Sequence, residues 1–297
     1  MLIALSGSTG FIGSQLVPAL ERDGHDVRRI VRSNPRPGDV RWSPSERRID
    51  AAGLEGVEAV IHLAGENIGQ RWTEAVRHRI RESRAVGTRL LASTLAGLER
   101  SPRAFISASA IGIYGADRGD EVLDESSEPG DDFLADVGVE WEAATEPAAT
   151  RGIRVVRTRF GVVLDPAGGM LARILPVFRL GIGGRLGDGR SWMSWVSLTD
   201  LIEAMRFILR MPTLAGAVNV TAPNPVRNAE FTATLGLVLR RPTIAVVPAF
   251  ALRAVYGEMA DGTILASQRV LPAKLIEAGY RFEHPQLESA LRAELKT

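Results

Sequence analysis

The run LIALSGSTGFIGSQL, residues Leu2–Leu16, constrains this chain more than any other segment. A strand-like apolar stretch closes at Ser6, and Gly7, Gly10 and Gly13 follow at three-residue spacing as a helical pattern begins. Glycine reaches backbone angles that other residues avoid and lets two backbones approach closely. The helix behind it presents unpaired N–H groups and the positive end of its dipole, which together suit a phosphate. Surface turns also collect glycines. Here, however, the triplet follows the first strand, opens a helix, and precedes a second strand by roughly twenty residues, the context of a dinucleotide-binding turn. Gly7, Thr9, Gly10, Phe11, Ile12 and Gly13 are the contacts expected from it.

Beyond this turn, short β-rich runs alternate with longer helical patterns. Leu2–Leu5, Asp26–Val31, Ala59–Leu63, Ala104–Ile106 and Ile153–Arg157 read as strands, and Phe11–Arg22, Thr73–Leu95 and Asp132–Ala149 as helices. Apolar strands separated by helices imply a parallel sheet covered on both faces. After about Asp165 glycines cluster, and helices dominate at Leu198–Arg210, Asn228–Leu239, Pro272–Ala278 and Pro285–Leu295. The expected fold is α/β, a Rossmann-type doubly wound parallel sheet with a smaller helix-rich C-terminal lobe. Residues 1–165 would form the nucleotide domain, with 195–212 packing back on it, and 166–194 and 213–297 would form the lobe on the substrate side.

Composition narrows the function classes. With 36 basic and 35 acidic side chains in 297 residues, no global field draws the chain to nucleic acid or to an anionic membrane. There is no cysteine, which excludes disulfides, thiolate metal sites and a cysteine nucleophile, and no His/Asp/Glu set has metal-ligand spacing. Met1 leads directly into the first strand without a basic, apolar leader, and the longest apolar run, Ile244–Leu252, is too short to span a bilayer. A soluble, cytoplasmic protein acting on a small molecule, with no metal, is expected.

The end of the second strand selects the dinucleotide. NAD sites place a carboxylate there for the ribose 2′-hydroxyl, whereas NADP sites place a cation for the 2′-phosphate. This strand ends VRRIVRSNPR, with Arg32 and Ser33 at its tip and Asp26 at the wrong end. Arginine's planar donor fork fits a phosphate, so NADP is the expected cofactor. The alternative is that Arg28, Arg29, Arg32 and Arg36 form only a solvated basic edge.

The sequence resembles the extended short-chain dehydrogenase/reductases, the superfamily of sugar-nucleotide epimerases and dehydratases. GSTGFIG is similar to their glycine loop, VIHLAGEN (Val60–Asn67) to their fourth-strand end, FISASAIGIYG (Phe105–Gly115) to the fifth strand and its loop, and WVSLTDL (Trp195–Leu201) to a further segment. HLAGENI, ESR, WEAAT, VVRTRFGVVL and SQRVLPAKLIEAGYRFEHPQLESAL resemble an atypical branch of epimerase family proteins that ends in a small domain of unknown function. The resemblance implies Leu63, Ala64 and Gly65 beneath the adenosine and ribose, and adds Arg84 and Val162 as cofactor contacts. By analogy with superfamily dimers, the two long helices could pair across a two-fold axis as a homodimer.

One departure bears on chemistry. Active superfamily members use a Tyr-x-x-x-Lys pair one helical turn apart, the lysine lowering the tyrosine's pKa. The resemblance puts Leu134 in the tyrosine's place, Gly138 in the lysine's and Ala110 in that of the helper serine. Tyr114, Ser109 and Glu66 are the candidate substitutes, as proton donor, substrate-orienting hydroxyl and carboxylate base. Each also has a structural reading: loop packing for Tyr114, backbone capping for Ser109, and a counter-charge for Arg84 in the case of Glu66. His62, inside an apolar strand, reads as a core histidine. Two functions stay open: an NADP(H)-dependent oxidoreductase or epimerase on an unidentified carbonyl or hydroxyl compound, and a non-catalytic NADP(H)-binding or redox-sensing protein.

Overall fold

A computed structural model describes all 297 residues. The chain opens with β1 (Leu2–Ser6), α1 (Gly13–Arg22), β2 (Asp26–Val31), β3 (Val40–Ser43), β4 (Arg48–Ile49) and β5 (Ala59–His62). It continues through α2 (Glu74–Ala96), β6 (Ala104–Ala110), β7 (Asp117–Leu123), α3 (Phe133–Ala143), α4 (Glu146–Thr150) and β8 (Arg154–Phe160). Next come β9 (Val162–Asp165), α5 (Gly169–Arg179), β10 (Gly184–Leu186), β11 (Trp192–Met193), β12 (Trp195–Ser197) and α6 (Leu198–Arg210). The last part holds β13 (Gly216–Val220), β14 (Val226–Arg227), α7 (Asn228–Leu239), β15 (Ala245–Val247), α8 (Ala249–Tyr256), β16 (Ser267–Val270), α9 (Ala273–Glu277) and α10 (Leu287–Leu295).

Eight strands form the central sheet in the order β13-β8-β6-β5-β1-β2-β3-β4, all parallel except β4, which pairs antiparallel with β3. Strand order reverses beside β1, so the ends of β1 and β5 flank the crevice where a doubly wound sheet binds ligands. Successive side chains enter opposite layers. Ile3, Leu5, Ala59, Ile61 and Ile106 join the core under α1 and α6, whereas Ala4, Val60 and Phe105 join the core under α2 and α4. Burial on both faces is why these strands read as continuous apolar runs.

Several elements differ from the sequence reading. The first helix starts at Gly13 rather than Phe11, because Phe11 and Ile12 complete the glycine turn. The span Asp132–Ala149 is two helices, broken near Thr145: Pro147 lacks the N–H a continuous helix would need, and the Thr145 hydroxyl donates to the Glu142 carbonyl at 2.6 Å. Strand β6 runs four residues past Ile106, so Ser107–Ala110 are sheet rather than loop. β13 pairs in parallel with β8 and is an edge of the central sheet, not part of the lobe. Its short run had too little periodicity to be noticed, and only the neighbouring strand shows where it belongs.

The segment containing Trp195–Leu201 is organised by Asp200, which is 1% exposed. Its carboxylate accepts from the Ser197 hydroxyl and from the backbone N–H groups of Glu283 and His284, and Tyr280 donates to its carbonyl. One side chain thereby clamps the chain's C-terminal return onto α6. No helix is long and apolar enough to cross a membrane.

His62 is fully buried, with Trp42 edge-on at 5.6 Å and Phe105 beyond it. Its Nδ1 hydrogen bonds the Ser6 hydroxyl at 2.6 Å and Nε2 has no partner. Burial without a counter-charge pushes its pKa down to about 4. The folded imidazole therefore stays neutral while the unfolded one binds a proton from roughly pH 6.5 downward. Stability should be level above that pH and fall by about 2 kcal/mol between pH 6.5 and 5, from this group alone. Urea unfolding of wild type and His62→Gln at both pH values checks it: the variant should lose that part of the pH dependence, and an equal slope would assign the dependence elsewhere.

Candidate functional site

The glycine turn is built by contact rather than by flexibility. Gly7 has φ +74°, and a Cβ there would lie 2.9 Å from the Leu63 carbonyl carbon, because the turn rests on the strand end Leu63–Ala64. A Cβ on Gly13 would come within 2.1 Å of the Gly7 carbonyl oxygen. The Gly10 N–H closes the turn on that same oxygen at 2.9 Å, and Ser14 donates back to Gly10. The N–H groups of Phe11, Ile12 and Gly13 make no hydrogen bond within the chain. The helix has no side-chain cap and no acid in its first turn. An anion is what such an end can hold. Thr9 and Gly10 are exposed, while the Phe11 ring is covered by the turn into α5, where a Cβ on Gly168 would meet it at 2.3 Å.

At the tip of β2 the four arginines separate by role. Arg29 chelates Asp39, with Nε to Oδ1 at 3.0 Å, and Arg28 donates to the Gly53 carbonyl. The Arg36 backbone N–H also binds Asp39, at 2.8 Å. Arg32 is exposed, has no hydrogen-bond or ion-pair partner, and stands beside exposed Ser33. The basic edge is therefore partly structural, and Arg32 is the member left free.

Across the crevice, Arg84 of α2 lies against Gly65, its Cζ 3.5 Å from where a Cβ would sit, and its guanidinium covers the Trp141 ring at 5.0 Å. It donates to the carbonyls of Glu66 at 3.0 Å and Ile80 at 3.3 Å. Burial pushes its pKa down to about 10 against the opposing pull of Glu66, so it stays charged at neutral pH. Arg84 is thus held by the Glu66 backbone, not by its carboxylate. That carboxylate is 33% exposed and faces Gln70 at 3.1 Å and Arg79 at 3.6 Å. Val162 begins β9 beside the crevice, its N–H bound to the Ser194 carbonyl at 2.9 Å.

The acid–base positions are packed shut. A Cβ on Gly138 would lie 2.9 Å from Ile113 Cβ, and Leu134 lies 3.5 Å from the corresponding point on Gly112. Ile113 occupies the space a lysine side chain would need. Ser109 and Tyr114, two of the three candidate catalytic residues, are 2% and 0% exposed and are consumed in a buried network. Ser109 donates to Glu142 Oε1 at 2.8 Å, and Arg159 chelates the same carboxylate at 2.7 and 2.9 Å. Arg159 also donates to the Tyr114 hydroxyl at 2.8 Å, which in turn donates to Asn219 Oδ1 at 2.8 Å. Burial raises the Tyr114 pKa by more than neighbouring Arg159 lowers it, so the phenol stays protonated. For Arg159 burial opposes the charge, but the bonds and charge of Glu142 raise its pKa overall.

Ser109, Arg159 and Asn219 sit opposite one another across β6, β8 and β13, which is how three distant segments meet. Sequence reading did not find Glu142, Arg159 or Asn219 as site-shaping residues. Little signal was available, because Glu142 is one of three acids on α3 and Arg159 one of three arginines on β8, so neither stands out by type.

Residues 3–221 match the NAD dependent epimerase/dehydratase family, and residues 247–294 match a domain of unknown function. An epimerase family protein of Mycobacterium tuberculosis is 44% identical over 98% of this chain and 96% of its own length. The crystal structure of human epimerase family protein SDR39U1 with NADPH superposes with a TM-score of 0.91 at 32% identity, covering all of both chains. A nucleoside-diphosphate sugar epimerase from Corynebacterium glutamicum superposes with a TM-score of 0.83 at 38% identity, over 99% of this chain and 58% of that one.

Replacing Glu142 by Leu should cost about 3–5 kcal/mol, because it leaves Arg159 charged and buried without a counter-charge. Adding Arg159→Met should recover a large part of that loss. Chemical unfolding of the two variants decides, and a double variant no more stable than the single one would show that the pair is not the source of the coupling.

Proposed function

Because the chain belongs to the NAD-dependent epimerase/dehydratase family, we propose that it is a non-catalytic NADP(H)-binding or redox-sensing protein, lacking that family's tyrosine–lysine proton transfer. The observation that carries this reading is a contrast within one crevice: the phosphate cradle is open and unpaired at Phe11–Gly13, while Ile113 fills the acid–base position. The free N–H groups of the turn would hold the pyrophosphate, with Gly7, Thr9 and Gly10 shaping its approach. Arg32 and Ser33 would take the 2′-phosphate, since no carboxylate stands at that strand tip. Leu63, Ala64 and Gly65 would underlie the adenosine and ribose, Arg84 would add a fixed cation, and Val162 would border the far end. The NADPH in the human relative supports the same choice. When bound, the dinucleotide supplies a hydride donor or acceptor. In this reading Tyr114 and Ser109 hold the sheet ends together and move no proton.

A second reading, an NADP(H)-dependent oxidoreductase or epimerase-like enzyme on a small carbonyl or hydroxyl compound, is favoured by one residue. Of the three candidates, Glu66 alone keeps its functional group accessible, and the segment that follows it is met by the lobe where Arg173 donates to the Gly69 carbonyl. Stereospecifically deuterated NADPH separates the two. The first reading expects the label to survive a broad carbonyl panel, whereas label transfer abolished by Glu66→Gln would establish the second.

Fluorescence titration should show NADPH binding tighter than NADH, and Arg32→Ala should weaken NADPH by roughly tenfold to a hundredfold, the loss of a charge-assisted phosphate contact. Equal affinity for both nucleotides, unchanged in the variant, would remove NADP from the reading.

A further inference from the structure

Residues 166–187 and 231–257 contain no acidic side chain, yet carry Arg173, Arg179, Arg185, Arg240, Arg241 and Arg253. The near balance of charge over the whole chain conceals this separation. In the fold the two stretches lie side by side. β10 and β15 pair in parallel with Arg185 opposite Val246, Pro242 packs near Gly181, and Arg241 Nε donates to the Arg179 carbonyl at 2.8 Å. Arg253 is paired with Asp261 and Arg173 binds the Gly69 carbonyl, but Arg179, Arg185, Arg240 and Arg241 have no acidic partner.

The same surface is apolar between its cations. Of the twelve large apolar side chains left exposed, seven belong to residues 177–182 and 244–255. Ile244 is 91% exposed, Leu180 76% and Phe250 73%, so these side chains protrude rather than line a groove. Helix α8, which follows β15 directly, contributes no buried residue at all. Large exposed apolar side chains concentrated on neighbouring segments of this kind mark an interaction site.

We propose that this face docks the protein on an anionic lipid surface. The protruding Leu180, Ile244 and Phe250 would enter the boundary between headgroups and acyl chains, and the surrounding arginines would meet lipid phosphates. The charge pattern selects this occupant over a second copy of the chain. A two-fold interface sets a patch against itself, so four arginines of each copy that lack an acidic partner would have to share one seam. Attachment would be peripheral, since no helix can span. Net charge averages this face with the rest of the molecule, and the shortness of the apolar run Ile244–Leu252 excludes a span but not peripheral contact.

The test is flotation of the full chain with vesicles of phosphatidylcholine alone and of phosphatidylcholine containing phosphatidylglycerol. Binding is expected only to the anionic vesicles, weakening as salt screens the arginines. Phe250→Glu, and separately Arg185→Gln combined with Arg240→Gln, should each weaken it by about tenfold or more. Thermal melts and NADPH titration of the variants, unchanged from wild type, would show that they remain folded. Failure to bind anionic vesicles at low salt overturns the proposal, as does binding insensitive to both variants or equal on the two vesicle types. A concentration-dependent dimer in sedimentation velocity, dissolved by Phe250→Glu in a protein that ignores vesicles, would assign the face to a second copy and also overturn it.

Discussion

A buried guanidinium cannot discard its charge, and much of this molecule is arranged around that fact at Arg159. Its nitrogens are shared between both oxygens of Glu142 and the hydroxyl of Tyr114. The pair joins α3 to β8, and through Ser109 and Asn219 it reaches the strands on either side. Removing either partner strands the other in a low-dielectric interior, which makes the arrangement all-or-none. It also sets the position of the loop after β6, and hence of Ile113.

That placement links stability to chemistry. In the extended dehydrogenase/reductase pattern the residue facing this loop would be a lysine, but here it is Gly138, and Ile113 fills the vacated volume. Hydroxyls that could have served as catalysts are turned inward and satisfied instead. The opposite wall of the crevice follows another logic. The glycine turn leaves its helix N-terminus without a side-chain cap, so its N–H groups stay available to water or to an anion. Contact between Phe11 and the Gly168–Gly169 turn ties the glycine turn to the start of α5, so the two share a boundary.

The lobe departs from the domain that carries it. Asp200 clamps the returning C-terminal chain, and Trp195, Phe231 and Leu291 form a separate small core. Around β10, β15 and α8, however, apolar side chains and uncompensated arginines remain outside. A fold able to bury Trp195 completely had the means to bury Phe250. Its exposure, together with the lack of acids over residues 166–187 and 231–257, points outward to a partner surface rather than to a defect of packing.

How much of this was legible in the sequence depends on how local the cause is. The absence of the tyrosine–lysine pair is visible only through the family resemblance. The glycine turn, the alternation of strands and helices and the lack of a carboxylate at the tip of β2 follow from neighbouring residues, because dihedral freedom, periodicity and charge act over a few positions. The extent of β6, the break near Thr145, the sheet membership of β13 and the inward commitment of Ser109 and Tyr114 do not. Each depends on which distant strand or helix lies alongside, and a hydroxyl reads the same in sequence whether it faces a ligand or a buried carboxylate. By itself the sequence determined the alternating strands and helices and the glycine turn, while the missing acid–base pair came from the family resemblance. Only the tertiary structure decided what replaced that pair, because Glu142, Arg159 and Asn219 come together solely through strand register.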